Sequence, residues 1–290
     1  VQRRLVLRHR SRRFQAKQAI DVGRCYPTPG CAHQVALLDQ VGLDHVLDRL
    51  VDRAFDQILD DAGRLIVGKH DVLRMALTCL LAGGHCLIED LPGVGKTTLS
   101  QSIARAFGLG FNRIQFTSDL LPADILGVSI FDPEQQLFRF HPGPVFAHFV
   151  LADEINRAPP KTQAAMLEAM QERQVTIDGV NHELPDSFTV FATQNPIEQE
   201  GTYPLPEAQL DRFMFNVVID YLPEDDEVQV VTQTTSKRPE PIEPLFHGED
   251  VRRFHDVVRR VPVAEDVVRY AVRLAAASRP GQPDSPDFVN

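Results

Sequence analysis

The sequence has only four cysteines in 290 residues, and none of them lies in a Cys-x-x-Cys pair. Cys79 and Cys86 stand in apolar segments, which predicts buried side chains rather than metal ligands or disulfide partners. No apolar run approaches the roughly 20 residues that a membrane span requires. These absences predict a soluble chain without a span, and the cysteine usage fits a reducing cytoplasm.

Acidic side chains are missing from the first 13 residues, which hold six arginines. The whole chain has a net charge of −10, so the remainder is more acidic than the total suggests. An acidic body argues against binding nucleic acid over a broad surface. The Arg-rich start lacks the apolar core of a secretory signal. Three interpretations stay open: a transit-peptide-like segment, an arm for an anionic surface, or an end that is disordered or is an extension outside the folded domain.

Regular hydrophobic patterns begin near residue 45 and alternate between strand and helix periods. Strands are predicted over residues 85–88, 112–116, 148–152, 187–193 and 214–219, and helices over 70–81, 99–107 and 161–173. This alternation predicts a three-layer α/β fold with a parallel sheet. Two hairpins, about 128–140 and 175–184, interrupt it and are either partner contacts or idle surface loops. Further helices are predicted to start at about 224 and to span about 249–260 and 264–277.

Residues 89–97 read Glu-Asp-Leu-Pro-Gly-Val-Gly-Lys-Thr, between an apolar run and a helical pattern. A strand, a glycine-rich turn, Lys-Thr and a helix form the context of a phosphate-binding loop. Lys96 would reach the β- and γ-phosphates, and Thr97 would place a hydroxyl on Mg²⁺. Asp90 stands where the full pattern has glycine, so a chance turn before a helix is the alternative.

Two acids follow a nearly continuous apolar run, at Asp153 and Glu154. A carboxylate at the end of a strand can hold the hydration shell of Mg²⁺ beside Thr97, and Glu154 is placed to polarise a water. An acidic helix start after a strand is the ordinary alternative. Asn195 ends the next strand, where an amide could reach the same phosphate. Arg212 lies in a helix-to-strand corner and is predicted to face outward.

Taken together, these motifs resemble the MoxR family of AAA+ ATPases over about residues 60–222. The stretches that carry the resemblance are 66–68, 89–97, 116–127, 141–146, 151–157, 161–173, 192–196 and 201–213. The resemblance implies a P-loop AAA+ core at 45–222, a poorly determined segment at 1–44 and a partial helical lid at 223–290. It also implies ATP and Mg²⁺ as cofactors, a ring that is usually a hexamer, and chaperone-like action on client proteins, often with von Willebrand factor A domains.

The resemblance also implies a role for each matching residue. Lys96 and Thr97 correspond to Walker A, Asp153 and Glu154 to Walker B, Asn195 to sensor 1, and Arg212 to the arginine finger of a neighbouring subunit. The residues expected to contact ATP are Val67, Gly68, Pro92, Gly93, Val94, Gly95, Lys96, Thr97 and Thr98, and those expected at the metal are Thr97 and Asp153.

The chain departs from the family pattern after Pro223, where the sequence shows no Pro-Arg motif for sensor 2. We therefore expect a truncated lid. The main prediction is an ATPase that acts as a chaperone-like factor, and the alternative is a nucleotide-dependent binding module without turnover. A related ring ATPase acting on nucleic acid or in metal chelation is a third interpretation. A nucleoside kinase is a weaker one, because no acceptor pocket is recognisable.

Overall fold

The computed structural model describes residues 55–63, 66–90, 95–195, 201–219, 221–235 and 242–279. All of them belong to one unit, Asp44–Asn290. The segment predicted at 1–44 lies outside the described residues, as do Pro92, Gly93 and Val94 of the predicted phosphate loop.

Five parallel strands form the central sheet: β1 (Cys86–Asp90), β2 (Phe111–Gln115), β5 (Phe149–Asp153), β8 (Thr189–Gln194) and β9 (Phe215–Ile219). Their order across the sheet is β2-β5-β8-β1-β9, and every pair is parallel. All five residues of β5 are buried, as expected for a strand covered on both faces. The predicted α/β class with a parallel sheet is confirmed.

The helices lie between and after the strands. They are α1 (residues 55–63), α2 (His70–Leu81), α3 (Lys96–Ala106), α4 (Pro122–Leu126), α5 (Pro160–Glu172), α6 (Glu207–Leu210), α7 (Glu224–Thr235), α8 (Gly248–Arg260) and α9 (Glu265–Ala277), with a 3-10 turn at Ile155–Arg157. The helix predicted over 70–81 is confirmed at both ends, whereas α3 begins three residues earlier than predicted. The helices α5, α7, α8 and α9 each begin within one residue of the predicted start, whereas the short helices α4 and α6 were not predicted.

Two apolar clusters fill the faces of the sheet and give the fold its three layers. On one face, α2, α3 and α8 contribute Leu77, Ile103 and Phe254 to a single cluster. On the other face, α5 contributes Met166 and Met170 to the second cluster. Because α8 shares the cluster of α2 and α3, it is anchored to the same core as the sheet.

Two antiparallel hairpins stand apart from the central sheet, as predicted. One pairs β3 (Gly127–Asp132) with β4 (Leu137–Pro142), and the other pairs β6 (Gln174–Ile177) with β7 (Val180–Glu183). The two hairpins touch through Phe140 and His182, whose rings stack with centroids 3.9 Å apart. The insertions therefore form one neighbouring pair of surface elements.

The predicted burial of the cysteines is confirmed, since both Cys79 and Cys86 are fully buried. A hydrogen bond with Cys79, together with burial, raises the pKa of the Cys86 thiol, so it remains protonated. None of the helices in the described parts of the chain is long and apolar enough to cross a membrane.

Candidate functional site

The start of α3 is set by Gly95, whose φ of +85° is a left-handed conformation that glycine adopts without strain. In the part of the chain that the structure describes, no atom lies within 4 Å of where a Cβ would stand at Gly95, and its backbone angle is the constraint there. Lys96 is consequently the first residue of α3, followed by half-buried Thr97 and exposed Thr98. The N–H groups and the dipole of this helix end favour an anion beside these side chains.

Lys96 and Asp153 meet at the carboxyl edge of the sheet, although 57 positions separate them in sequence. The Lys96 Nζ atom is 3.8 Å from Asp153 Oδ1, and the two side chains are 14% and 7% exposed. The Thr193 hydroxyl of β8 donates to the same Oδ1 at 2.6 Å. Three segments that follow or end neighbouring parallel strands thus bring an ammonium, a hydroxyl and a carboxylate together.

Asp153 is held ionised by its surroundings. Burial alone would raise its pKa, but the hydrogen bonds from Thr193 and Arg113 and the charges of Lys96 and Arg113 outweigh burial and lower it. The carboxylate is therefore in the form that binds a divalent cation. The donor set of the Thr97 hydroxyl and the Asp153 carboxylate consists of oxygen atoms, which suits Mg²⁺.

Glu154 follows β5 in a left-handed conformation with φ of +57°. Its backbone N–H donates to the Thr193 hydroxyl at 2.8 Å. Its Oε2 accepts a hydrogen bond from Gln115 Nε2 at 2.9 Å and lies 3.3 Å from an Arg157 guanidinium nitrogen. A non-glycine residue at positive φ is uncommon, and here Thr193 anchors the turn that aims the Glu154 side chain toward β2.

Asn195 is buried at the end of β8, one residue after a small network that the motif analysis missed. Gln194 Nε2 donates to Glu89 Oε1 at 2.7 Å, and Asn216 Nδ2 donates to the same oxygen at 2.9 Å. Glu89 thereby joins β8 and β9 to β1 immediately before the predicted phosphate loop. The detectable signal is a polar residue in each of three largely apolar strands, at or next to the last residue of β1 and β8 and at the second residue of β9.

Val67 and Gly68 lie beside the start of α7. Val67 is buried, and Gly68 has φ of +72°. A Cβ on Gly68 would lie 2.5 Å from Asp226 Oδ2 and 2.7 Å from Leu222 Cδ2, so both side chains would have to shift, and the positive φ itself favours glycine. The structure therefore places Gly68, one of the two predicted adenine contacts, against Leu222 and the first turn of α7.

Arg212 is exposed in the turn between α6 and β9, as its corner position predicts. Its backbone N–H donates to Gln209 O, and the neighbouring Phe213 is buried. Among the described residues, no ion pair or side-chain hydrogen bond of Arg212 is present. The structure does not bring Arg212 to Lys96 and Asp153 within the same chain.

The comparisons with known proteins match this arrangement. The family model described as "ATPase family associated with various cellular activities (AAA)" matches residues 85–215. The chain is 45% identical to the uncharacterized protein YeaC of Bacillus subtilis, over 80% of the chain and 72% of YeaC. It is 43% identical to Chaperone MoxR1 of Mycobacterium tuberculosis, over 77% of the chain and 59% of that protein.

A solved structure shows the same fold. The crystal structure of a protein assigned as an ATPase, from Cytophaga hutchinsonii, superposes with a TM-score of 0.76 at 37% identity. It covers 83% of this chain and 73% of the other. Protein MoxR of Methylorubrum extorquens is 31% identical, and the chain spans 54% of its length. The chain thus spans little more than half of each of the two MoxR proteins.

Proposed function

This chain belongs to the MoxR family of AAA+ ATPases, and from that membership we propose that it binds ATP with Mg²⁺ and hydrolyses it to ADP and phosphate. Its role is that of a chaperone-like factor acting on partner proteins. A cytoplasmic location is part of the proposal.

The observation that supports ATP binding best is the meeting of Lys96, Asp153 and Thr193 at one edge of the sheet. A lysine at a helix start, facing an ionised aspartate on the adjoining strands, is the arrangement used to bind a nucleotide triphosphate. The chance-turn interpretation of residues 89–97 does not account for this convergence. Asp90 in place of glycine therefore carries little weight against a phosphate loop.

Thr97 and Asp153 are the residues that would hold Mg²⁺, directly or through its waters. When bound, Mg²⁺ supplies positive charge that neutralises the phosphate oxygens. Lys96 and the N–H groups at the start of α3 bind and orient the same phosphates. Val67 and Gly68 contact the adenine, and Gly95 and Thr98 complete the described part of the phosphate loop.

Glu154 acts as the base that orients the attacking water and accepts its proton. In the structure Gln115 and Arg157 both engage Oε2, so the water is accepted by Oε1 or replaces one of these contacts at Oε2. Asn195, buried beside Gln194 at the end of β8, positions the γ-phosphate or that water. Arg212 from an adjacent subunit completes the site in a ring, for which we propose six subunits.

The two hairpins offer the surface for a client protein. Side chains exposed there include Val128, Ile130, Phe131, Phe138 and Val180. A cavity of about 530 Å³ lies between the hairpins, lined by Phe138, Phe140, Ile177, Val180 and His182 among others. Exposed apolar side chains of this kind mark interaction sites. A client with a von Willebrand factor A domain is the partner that the family suggests.

Measurement of phosphate release by Glu154→Gln tests the assignment of Glu154 as the base. We expect the variant to bind ATP as the parent does but to lose turnover by at least about 100-fold, because a general base contributes that much. Glu168→Gln on the exposed face of α5 is the matched control and should hydrolyse ATP at the parent rate.

The outcomes separate the candidate functions. Turnover of Glu154→Gln at the parent rate would show that Glu154 is not the base. A parent protein that binds ATP but releases no phosphate would instead be the nucleotide-dependent binding module. Absence of any ATP binding by the parent would contradict the proposal as a whole.

A further inference from the structure

We infer that Arg113 is a positioning residue for the cation site: it holds the Asp153 carboxylate so that Oδ1 faces Lys96 and the start of α3. Neither the phosphate-loop motif nor the acid pair includes Arg113. The inference rests on the proposed function, because it assigns a task in binding Mg²⁺ with nucleotide.

The contacts of Asp153 divide between its two oxygens. Oδ1 faces Lys96 and accepts a hydrogen bond from Thr193. Oδ2 accepts two hydrogen bonds from Arg113, at 3.1 Å from Nε and at 2.5 Å from a terminal guanidinium nitrogen. Two guanidinium donors that converge on one oxygen hold that oxygen on the β2 side more firmly than the single ammonium of a lysine would, and they leave Oδ1 to face Thr193 and Lys96. Arg113 therefore determines which oxygen is directed at the phosphate loop.

The strand register explains how Arg113 reaches this position. Arg113 pairs with Leu151 across β2 and β5, and Gln115 pairs with Asp153. Residues two apart on a strand share a face, so Arg113 lies beside Asp153 on the same side of the sheet. The Arg113 side chain is 47% exposed, whereas that of Asp153 is 7% exposed. An arginine that open to solvent contributes little to the core, and its side-chain hydrogen bonds go to Asp153 and Gln115.

Arg113 also connects the two acids. The guanidinium nitrogen that contacts Asp153 donates to Gln115 Oε1 at 2.8 Å. Gln115 in turn donates to Glu154 Oε2 at 2.9 Å. One chain of hydrogen bonds on β2 thus orients both carboxylates. Such supporting partners of metal ligands typically change metal affinity by about 10- to 100-fold when they are removed.

The direction in which Mg²⁺ affinity changes when Arg113 is removed distinguishes a positioning role from a purely electrostatic one. A guanidinium near a cation site repels Mg²⁺, so loss of its charge alone would strengthen Mg²⁺ binding. Loss of a positioning contact lets the carboxylate rotate and weakens Mg²⁺ binding. The two roles therefore predict opposite changes for Arg113→Ala.

Calorimetric titration of the full chain with ADP, in MgCl₂ and separately in EDTA, provides the measurement. The Kd for ADP in EDTA divided by the Kd in MgCl₂ gives the contribution of Mg²⁺ to binding. We expect Arg113→Ala to reduce this ratio by about 10-fold while leaving the Kd in EDTA near that of the parent. Arg113→Lys keeps the charge but loses the two-point contact, so it should also reduce the ratio, to a smaller extent.

Arg139→Ala is the matched control, since it removes the same charge from a similarly exposed arginine that pairs with Asp132 on the β3–β4 hairpin. It should leave the ratio unchanged. A ratio in Arg113→Ala equal to or above that of the parent would overturn the inference and leave the proposed function standing. If Arg113→Ala fails to fold, an unchanged ratio in Arg113→Lys overturns it. A parent chain that binds no ADP in either condition would overturn both.

Discussion

His85 shows how one buried polar residue connects several elements of the fold. It accepts a hydrogen bond from the Val190 N–H at Nδ1, 3.0 Å away, and its Nε2 lies 3.1 Å from Met170 O. These partners require a neutral ring with the proton on Nε2. Burial lowers its pKa from 6.5 to about 4, against the raising effect of the Met170 hydrogen bond. The charge of Arg173 lowers it further.

This depressed pKa predicts a loss of stability in mild acid. The unfolded state takes up a proton near the ordinary histidine pKa, whereas the folded state does so only near its lower value. The contribution of His85 is therefore fully present above the unfolded pKa and is lost as the pH falls toward the folded pKa. Between about pH 7 and about pH 5 the expected loss is about 2 kcal/mol.

Urea unfolding of the parent and of His85→Gln at these two pH values measures the contribution of His85 to the pH dependence of the free energy of unfolding. The variant cannot titrate at that position, so its stability should fall by about 2 kcal/mol less than that of the parent. His141→Gln replaces an exposed histidine and should retain the pH dependence of the parent. Equal pH dependence in all three proteins would show that His85 is protonated alike in both states.

The sequence predicts the site residues that stand in a local motif. It does not predict those whose partners are set by the pairing of strands across the sheet. Lys96 and Asp153 were predicted because each stands in a recognisable local pattern, and the structure brings them together. Arg113 and Glu89 were not predicted, because their partners are set by the register of parallel strands. That register depends on the packing of the whole sheet, which no short window of sequence contains.

At the scale of elements, the β3–β4 hairpin is attached to the core through the close approach of two backbone segments. Gly143 N–H donates to Leu126 O at 3.3 Å, and Val145 N–H donates to Ile125 O at 3.2 Å. A Cβ on Gly143 would lie 2.2 Å from Ile125 O. Backbone cannot rotate out of such a contact as a side chain can, so the end of α4 and the base of β4 would have to separate.

Gly143→Ala should therefore destabilise the chain more than a substitution that only strains a backbone angle. Gly179→Ala is the comparison, because Gly179 has φ of +79° and open space around its Cβ position. A left-handed alanine costs about 1–2 kcal/mol. Urea unfolding should show a larger loss for Gly143→Ala than for Gly179→Ala, and the reverse order would contradict the role of Gly143 at the hairpin base.

The hairpins and most of the predicted helix starts agree with the structure, and the start of α3 is the exception. The hairpins were recognised from Asp-Pro and Asp-Gly turns, and both are present. The start of α3 was placed three residues late, because the apolar pattern begins at Leu99 while the helix begins at Lys96. The helix begins directly after the left-handed Gly95, three residues before its first buried side chain at Leu99. Hydrophobic periodicity detects the buried side chains but not the conformation of Gly95.

At the scale of the whole molecule, the exposed position of Arg212 has a consequence for assembly. Within one chain it does not meet Lys96, so as an arginine finger it would have to act on the nucleotide of a neighbour. Such an arginine accelerates phosphoryl transfer by about 10³ to 10⁵. Arg212→Ala should therefore retain ATP binding and lose turnover only where subunits associate.

Mixing two inactive variants tests whether the site is shared. Arg212→Ala keeps its own Lys96, and Lys96→Ala keeps its own Arg212, so a mixed ring contains some contacts with both residues intact. With random assembly of equal amounts, about one quarter of the contacts are restored, and phosphate release should recover to a comparable fraction of the parent rate. Addition of the double variant Lys96→Ala/Arg212→Ala to Arg212→Ala restores none and should give no recovery. If mixed assemblies form, as shown by exchange of labelled subunits, and still release no phosphate, then Arg212 does not complete the site of a neighbour.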